Sequence, residues 1–351
     1  MLSQEENDLL TRSGSATPMG QYMRRFWVPV LLSRELPEPD CPPKKVKVLG
    51  ENLLAFRDTQ GRIGLVDPVC PHRGANLYYG RNEECGLRCV FHGLKFDVNG
   101  HCIDIPIAPA NTNKERLHIK AYPTREAGGY VWAYMGPPQS PPELPQLEFM
   151  TLPASHCYVS KKWQDCNWVQ CLEGAIDTAH FSFLHMVVAQ DEGQALAMLQ
   201  HAAIGAQSEQ NARIRWVRDD PMPQFEINET HVGLTIGGAR RNDYLIDRVV
   251  QKNLSFTGIE GVSEQDAAVQ DSQGEIADRT REHLFATDIG VVRFRRAMLQ
   301  AVRALVERGE EPTARQLPQG YTMRSGGWVA DESKSLSDVM IERFGHVQGV
   351  V

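Results

Sequence analysis

The sequence predicts an α+β protein, with an N-terminal antiparallel β domain followed by a domain that combines an antiparallel sheet with helices. Short β-rich runs separated by turn residues fill the stretch from residue 44 to residue 134. A proline-free segment over residues 167–186 predicts a helix, and an amphipathic pattern ahead of Gly309 predicts a C-terminal helix. Because strands and helices are segregated along the chain instead of alternating, the pattern favours α+β over α/β.

The chain begins with a predicted helical entry over residues 1–40. Ser3 and Glu6 have the spacing of a capping box, and Pro18 follows Thr17 as the first residue of a second helix. Three β-rich runs, KVKVLG, LLAFRD and RIGLVD, then lie between residues 44 and 67 with turn residues between them. They predict an antiparallel meander.

A proline-rich stretch marks the predicted domain boundary near residue 140. Residues 136–148 contain five prolines, which neither a strand interior nor a helix tolerates. The first domain is therefore placed at residues 41–140 and the second at residues 141–351. In the second domain, residues 211–239 return to strand-like alternation. The C-terminal helix is predicted from apolar residues spaced i, i+3, i+4 and i+7, which are Met298, Ala301, Val302 and Leu305.

Charge and composition limit the classes of partner. The net charge is −7 and the basic residues form no long run, which argues against a nucleic-acid ligand and favours a small substrate or a protein. Apolar runs fall short of the roughly 20 residues of a spanning helix, and the acidic start is unlike a signal peptide, so we expect a soluble, cytoplasmic protein. Eight cysteines without an export signal indicate thiols or metal ligands, not a disulfide framework.

Two short pairs of metal-ligating residues, Cys70-x-His72 and Cys89-x2-His92, stand 16 residues apart. Zinc sites usually pair cysteine with cysteine and histidine with histidine, whereas a Rieske [2Fe–2S] centre needs two cysteines on one iron and two histidines on the other. The mixed pairs therefore predict a Rieske cluster, with a structural zinc site as the alternative. Cys85 is the rival ligand, but it breaks the Cys-x2-His spacing.

A second group of ligands lies in the predicted helix. Asp177 and His180 share a helical face, and His185 joins them if the helix distorts by one residue after His180. Two imidazoles and one carboxylate leave open positions on Fe(II), as oxygen-activating sites require. The two histidines are thus candidate ligands of a mononuclear iron, and the residues alone leave the carboxylate undecided.

The motifs resemble those of a known family. Residues 69–100, VCPHRG to DVNG, resemble the Rieske domain of ring-hydroxylating oxygenases, particularly the phthalate dioxygenase group, and residues 177–185 resemble their Asp-x2-His-x4-His motif. The resemblance implies a Rieske domain followed by a helix-grip catalytic domain. The sequence departs from the family at Phe91 and Leu94, where a tyrosine or tryptophan is common. Phe91 cannot donate a hydrogen bond to the cluster.

The resemblance also implies roles for the carboxylates. Asp177 would not bind iron but would link His180 to His92 of a neighbouring subunit, giving an electron a short polar path. The third iron ligand would lie at the start of the C-terminal helix, where Asp288 stands. Thr287-Asp288 is equally a plain helix N-cap.

Other polar residues are candidates for the pocket. Asn167, Gln170 and Glu173 lie near the stripe of the helix that carries the histidines, although buried polar packing explains them as well. Because arginine pairs with carboxylates in a bidentate manner, four arginines are candidates for binding a substrate carboxylate, although surface arginines are common: Arg215, Arg218, Arg240 and Arg241.

Together the two groups of ligands predict a terminal oxygenase. It would accept electrons through the Rieske cluster and use mononuclear Fe(II) to insert dioxygen into an aromatic, carboxylated substrate. The alternatives are a monooxygenase or O-demethylase, and a Rieske electron-transfer protein with a degenerate catalytic domain. The resemblance implies a flavin and iron–sulfur reductase that uses NADH, and homotrimers or stacked trimers, because cluster and iron of one subunit are too far apart.

The resemblance is interrupted at one place in the second domain. The family carries several strands between a segment like GGARR and one like NDYLIDR, but here Arg241 meets Asn242 directly. Either the substrate domain is smaller, or residues are missing at this junction.

Overall fold

The structure is a computed structural model that describes most of the chain. The described residues are 1–109, 111–137, 141–153, 155, 157–162, 164–177, 179–186, 188, 240–312, 333–334, 338–339 and 342. At residues 182, 212–215, 224–227 and 241 the backbone alone is described. It divides into two compact units. The β unit comprises Gly14–Ala16, Gly20–Leu152 and Glu307–Val351. The helical unit comprises Met1–Ser13, Thr17–Met19 and Pro153–Val306. Within the described residues, every helix is too short or too polar to span a bilayer.

Among its described residues the β unit has three antiparallel sheets, with strand orders β1-β11-β10, β2-β3-β4-β9 and β5-β6-β7-β8. The predicted meander is confirmed as β2 to β4. The strands are β1 (Trp27–Leu32), β2 (Lys44–Val48), β3 (Glu51–Arg57), β4 (Ile63–Val66), β5 (Arg81–Glu83), β6 (Gly86–Arg88), β7 (Lys95–Phe96), β8 (Cys102–Asp104), β9 (Ala121–Tyr122), β10 (Thr124–Ala127) and β11 (Tyr130–Tyr134).

Strand β3 lies between two hydrophobic cores, which explains its unbroken apolar run. Leu54 and Phe56 point into a core that also contains Cys70 and Cys89. Alternate residues of the same strand, including Leu53, point into a second core on the opposite face. Since both faces are covered, the strand needs apolar residues at successive positions.

A polar cluster around Glu51 supports the same sheet. The carboxylate accepts hydrogen bonds from Arg24 Nη2, Lys120 Nζ and Tyr122 Oη, each at 2.8 Å. Burial raises the pKa of Glu51, but hydrogen bonds from these three side chains lower it more, so its pKa lies below the ordinary value of 4.5.

The α-helices in the described part of the chain are α1 (Gln4–Thr11), α2 (Pro18–Met23), α3 (Trp168–Ile176), α4 (Phe181–Leu184), α5 (Arg248–Asn253), α6 (Val262–Ser272) and α7 (Ile289–Arg308). The capping box of Ser3 and Glu6 is present, and Pro18 is the first residue of α2, as predicted. The backbone of residues 211–239 is described for one antiparallel hairpin, β12 (Ala212–Arg215) with β13 (Gln224–Ile227).

The prediction of one continuous helix over residues 167–186 is wrong. Helix α3 ends at Ile176, and Asp177 caps it with extended backbone angles. The Asp177 side chain accepts a hydrogen bond from the Ala179 N–H at 2.8 Å, and this local turn replaces the next helical hydrogen bond. The helix is therefore interrupted between Asp177 and His180, and the next helix, α4, starts at Phe181.

The predicted C-terminal helix is confirmed as α7, which stops at Gly309 with φ 68°. Its buried residues include Val302 and Leu305 of the predicted face, together with Val291, Arg295 and Leu299, whereas Met298 and Ala301 are half-buried. An apolar pattern cannot reveal that Arg295 belongs to this face.

Candidate cluster site and candidate mononuclear metal centre

The two Cys/His pairs lie in two loops that have the same pattern of backbone hydrogen bonds. Each begins at a cysteine whose N–H donates to the carbonyl five residues on, from Cys70 to Ala75 at 2.9 Å and from Cys89 to Leu94 at 2.8 Å. The glycine four residues on donates back to the cysteine carbonyl, at 3.0 Å from Gly74 and 2.9 Å from Gly93. Both glycines have left-handed backbone angles, φ 75° and 78°, so each closes a tight turn.

The loops bury their sulfurs and expose their imidazoles. Cys70 and Cys89 are buried in the core of the β unit, whereas the rings of His72 and His92 face each other nearer the surface, with centroids 4.4 Å apart. The structure thus brings all four predicted ligands together. Two thiols on the inner side and two imidazoles on the outer side fit a cluster whose two irons have different ligands.

The electrostatics of the loops follow from their burial. Burial raises the pKa of the Cys70 thiol, and the neighbouring Cys89 raises it further. Partial removal from water lowers the pKa of the His92 imidazole, with His72 and Arg73 adding repulsion. The Cys70 thiol is therefore protonated at neutral pH without a metal, and binding a cluster releases its proton.

The second loop is held by Arg88. Its Nη1 donates to the Gly93 carbonyl at 2.8 Å and to Asp104 Oδ2 at 2.7 Å. Arg88 also lowers the pKa of Asp104 through this hydrogen bond. A Cβ added to Gly93 would lie 2.6 Å from Pro106 Cγ, so the loop packs tightly against this proline.

Phe91 lies at the surface of the second loop. It is 52% exposed, and its ring stacks at a tilt on His92 with centroids 4.0 Å apart. The rival residue Cys85 lies in the turn between β5 and β6, where its N–H donates to Thr59 Oγ1 at 2.8 Å. All eight cysteines are free thiols, as predicted.

A second convergence of ligand atoms lies in the helical unit. Nε2 of His180 and Nε2 of His185 lie 3.6 Å and 3.3 Å from the same oxygen, Asp266 Oδ1. One ligand atom from each of the three residues lies within 4.8 Å of the ligand atoms of the other two. His180 Nδ1 faces Asp177 Oδ2 at 3.5 Å, and His185 Nδ1 lies 2.7 Å from Gln265 Oε1.

The donor set fits a divalent metal. Among the described residues, His185 Nε2 and His180 Nδ1 are buried nitrogens without a hydrogen-bond partner. Two imidazoles and one carboxylate are also the ligand set of the facial triad in non-heme Fe(II) sites. A cation between them would satisfy His185 Nε2, which otherwise faces a carboxylate oxygen.

The carboxylate that converges with the two histidines in the structure is Asp266, and Asp288, the ligand that the resemblance implies, is not in this group. Asp288 lies in a 3₁₀ turn directly before α7, and its Oδ2 accepts a hydrogen bond from the Phe285 N–H at 2.6 Å. This contact closes the turn ahead of α7 and differs from the N-cap alternative, in which the side chain would accept from an N–H in the first turn of α7. Asp266 instead lies in the second turn of α6, which packs against α3.

Two of the three pocket candidates serve the packing of α3. The Asn167 side chain caps the helix by accepting from the Val169 N–H at 3.1 Å, and it donates to the Thr11 carbonyl at 2.9 Å. Gln170 is buried, and its amide makes hydrogen bonds to the backbone of Gln270, Gly274 and Ala277, at 3.0 to 3.1 Å. Their hydrogen-bonding groups are therefore engaged in the scaffold.

The third pocket candidate, Glu173, is the centre of a buried ion network. Its carboxylate accepts from Arg279 Nη2 at 2.8 Å and from Arg295 Nε at 2.6 Å. Arg279 also donates to Asn7 Oδ1 at 3.1 Å, and Arg295 pairs with Glu282. Through these contacts Glu173 connects α3 to α1 and α7, so its charge stabilises the packing of the helices.

The arginine candidates remain predictions. Arg240 is exposed. The side chains of Arg215 and Arg241, and the whole of Arg218, lie outside the described residues.

Comparison with protein families covers both units. Residues 26–123 match the Rieske [2Fe-2S] domain family. Residues 133–242 and 235–319 match, as two segments, the family described as LigXa C-terminal domain like.

Curated proteins of similar sequence are oxygenase subunits. The chain is 36% identical to the phthalate 4,5-dioxygenase oxygenase subunit of Pseudomonas putida, over 87% of this chain and 87% of that protein. It is 34% identical to the 3-chlorobenzoate-3,4-dioxygenase oxygenase subunit of Comamonas testosteroni, over 94% and 95% of the two chains. These alignments span 383 and 413 positions, more than the 351 residues here, so both relatives carry internal residues that this chain lacks.

Solved structures share the fold. The structure of Pseudomonas putida CBB5 NdmA with caffeine has a TM-score of 0.57, with 17% identity, and the match covers 91% of this chain and 100% of that chain. The two segments of the C-terminal family match meet at residues 235–242, where the sequence joins GGARR to NDYLIDR. Three successive residues after this junction have left-handed angles, Asp243, Tyr244 and Leu245 at φ 49° to 55°.

Proposed function

Because this chain belongs to the Rieske oxygenases, as an oxygenase subunit of the group that includes phthalate dioxygenase, we propose the following ligands for its two iron sites. A [2Fe–2S] cluster is held in a Rieske domain over residues 41–140 by Cys70, His72, Cys89 and His92. A mononuclear Fe(II) is held in a catalytic domain over residues 141–351 by His180, His185 and Asp266.

The convergence of both imidazole Nε2 atoms on Asp266 Oδ1 is the observation that carries this proposal. When bound, the cluster supplies single electrons and the ferrous ion supplies the chemistry of dioxygen activation. The chain would contribute the ligands: His180, His185 and Asp266 would hold the ferrous ion, and three protein ligands would leave coordination positions for dioxygen beside the substrate.

We propose that Asp177 connects the two centres between copies of the chain. Its Oδ1 is held by the Ala179 N–H, and its Oδ2 faces His180 Nδ1, so its orientation is set from within the subunit. About a quarter of the side chain is accessible, at 27%. We expect it to accept a hydrogen bond from His92 of a second copy, in a homotrimer or in stacked trimers.

The substrate is proposed to be a carboxylated arene, with dioxygen as co-substrate. The two oxygenase subunits compared above align with the chain over most of its length and are named for carboxylated arenes, phthalate and 3-chlorobenzoate. Electrons enter from a reductase or ferredoxin, which we propose to be a flavin and iron–sulfur reductase that oxidises NADH. A carboxylate in the pocket calls for an arginine, and Arg215, Arg218, Arg240 and Arg241 are the candidates.

One observation favours a second candidate, a Rieske electron-transfer protein with a reduced catalytic domain. The relatives carry internal residues absent here, and the family match divides at residues 235–242. An electron carrier would keep the cluster but would not need His180, His185 or Asp266 to converge. Their convergence supports the oxygenase.

The experiment is a turnover assay with a generic NADH-dependent reductase. Phthalate and 3-chlorobenzoate are compared with benzene and chlorobenzene, which lack the carboxylate, and with methoxybenzoates. NADH and oxygen consumption should rise with the carboxylated arenes alone, and product mass distinguishes dihydroxylation, monooxygenation and demethylation. The His180→Ala variant should keep the cluster absorbance and lose turnover. Reduction of the cluster by NADH without oxygenated product from any arene would support the electron carrier.

A further inference from the structure

Gln265 is a buried side chain at the edge of the candidate iron site. It lies in the first turn of α6, directly before Asp266, and is 7% exposed. Its Oε1 lies 2.7 Å from His185 Nδ1, and its Nε2 donates to the Ile259 carbonyl at 2.8 Å. Both ends of the amide therefore have one partner.

These two contacts determine which ring nitrogen of His185 carries the proton. The Ile259 carbonyl only accepts, so the amide nitrogen of Gln265 must face it, and the amide oxygen must face His185. That oxygen also only accepts. In the neutral imidazole, His185 Nδ1 therefore carries the hydrogen and Nε2 carries the lone pair.

The lone pair of Nε2 points to where a ligand is needed. His185 Nε2 lies 3.3 Å from Asp266 Oδ1 and is buried without a hydrogen-bond partner. A lone pair facing a carboxylate oxygen in a buried site is unfavourable unless a cation lies between them. The ring orientation and tautomer of His185 that Gln265 enforces are thus those that a metal ligand requires. Without a cation they place a lone pair against a carboxylate oxygen.

We propose that Gln265 is a positioning residue that holds His185 in its Nδ1–H tautomer and thereby presents Nε2 to the mononuclear iron. The inference rests on the proposed function, since it assigns a role at the same site. Gln265 Oε1 lies 2.7 Å from Nδ1 of His185, and Asp177 Oδ2 faces Nδ1 of His180 at 3.5 Å, so a different polar group lies on the Nδ1 side of each imidazole. Outer partners of metal-bound histidines typically contribute about 10- to 100-fold in metal affinity.

The test compares metal affinity in three variants from which the mononuclear iron has been removed and the cluster retained. Gln265→Leu removes the acceptor, and Gln265→Glu keeps an acceptor for His185 Nδ1–H. Gln270→Leu is the matched control, because Gln270 is a buried glutamine of the same helix that contacts Gln164 and neither histidine. Co²⁺ binding is measured by equilibrium dialysis with metal analysis, and the His185 tautomer by ¹⁵N spectra of the metal-free protein.

The proposal predicts Co²⁺ binding about 10- to 100-fold weaker in Gln265→Leu, with affinity restored to within a few-fold in Gln265→Glu and unchanged in Gln270→Leu. The ¹⁵N spectra should show Nδ1–H in the wild type and in Gln265→Glu, and should lose it in Gln265→Leu. Wild-type affinity in Gln265→Leu, or equal losses in Gln270→Leu, would overturn the role of Gln265 and leave the iron site intact. A wild type without any Co²⁺ site would overturn the proposed function itself.

Discussion

Replacing Glu173 by glutamine tests the buried ion network that supports α3. The substitution keeps the shape of the side chain and removes its charge. Glu173 is the shared partner of Arg279 and Arg295, whose side chains are only 2% and 7% exposed. After the change, Arg279 retains Asn7 and a backbone carbonyl as acceptors, and Arg295 retains Glu282. One guanidinium is then left without a carboxylate partner.

The expected loss follows from the burial of these groups. Removing one partner of a buried ion pair costs about 3–5 kcal/mol, because the remaining charge stays away from water without compensation. The corresponding loss at an exposed pair is about 0–1 kcal/mol. Asp8 and Arg12, 45% and 59% exposed in the same unit, form such a pair, so Asp8→Asn is the control.

The assay is urea unfolding followed by far-ultraviolet circular dichroism, which reports mainly the helical unit because it contains most of the helices. With a slope of about 2 kcal/mol per molar urea, a loss of about 4 kcal/mol moves the midpoint down by about 2 M. The midpoint for Asp8→Asn should move by less than about 0.5 M. If Glu173→Gln shifts no further than this control, the network does not stabilise the fold as reasoned here.

Three further predictions concern the β unit. Gly93→Ala should destabilise it more than Gly74→Ala, because both glycines are left-handed but only at Gly93 would the new Cβ meet Pro106, and thermal loss of the cluster absorbance measures the difference. The depressed pKa of Glu51 contributes stability that is present above about pH 4.5 and is lost as the pH falls through the folded-state pKa. Glu51→Gln should therefore flatten the fall in stability of this unit below about pH 4.5, and an unchanged acid profile would refute this. Phe91→Tyr should leave the cluster potential unchanged or raise it, since a new hydroxyl can only add a donor near the sulfurs, and a clear fall on potentiometric titration would contradict the reasoning.

Sequence reasoning succeeded where the signal is local. The capping box at Ser3, the meander of β2 to β4 and the helix ahead of Gly309 depend on nearest-neighbour patterns, and all are present. The Cys/His loops are equally local, since each turn is closed within six residues by its own backbone hydrogen bonds.

The missed features depend on contacts between distant parts of the chain. Asp266 and His180 are far apart in sequence, and nothing within α6 distinguishes this aspartate from a solvated one until the helix packs against α3. The structural role of Glu173 is not visible in the sequence, because its partners Arg279 and Arg295 follow it by more than 100 residues. Without them, Glu173 has only the position of a pocket residue. The break at Asp177 was missed because an aspartate side chain competes for the helical N–H only in a particular rotamer.

The number of irons per chain, measured with the cluster absorbance in matched variants, tests the central claim most directly. The wild type should hold about three irons, two in the cluster and one in the mononuclear site. Asp266→Ala should hold about two irons with unchanged cluster absorbance, as should His180→Ala, whereas Asp288→Ala should retain about three. An Asp266→Ala protein that keeps its third iron, or an Asp288→Ala protein that loses it, would contradict the assignment of Asp266 to the metal centre.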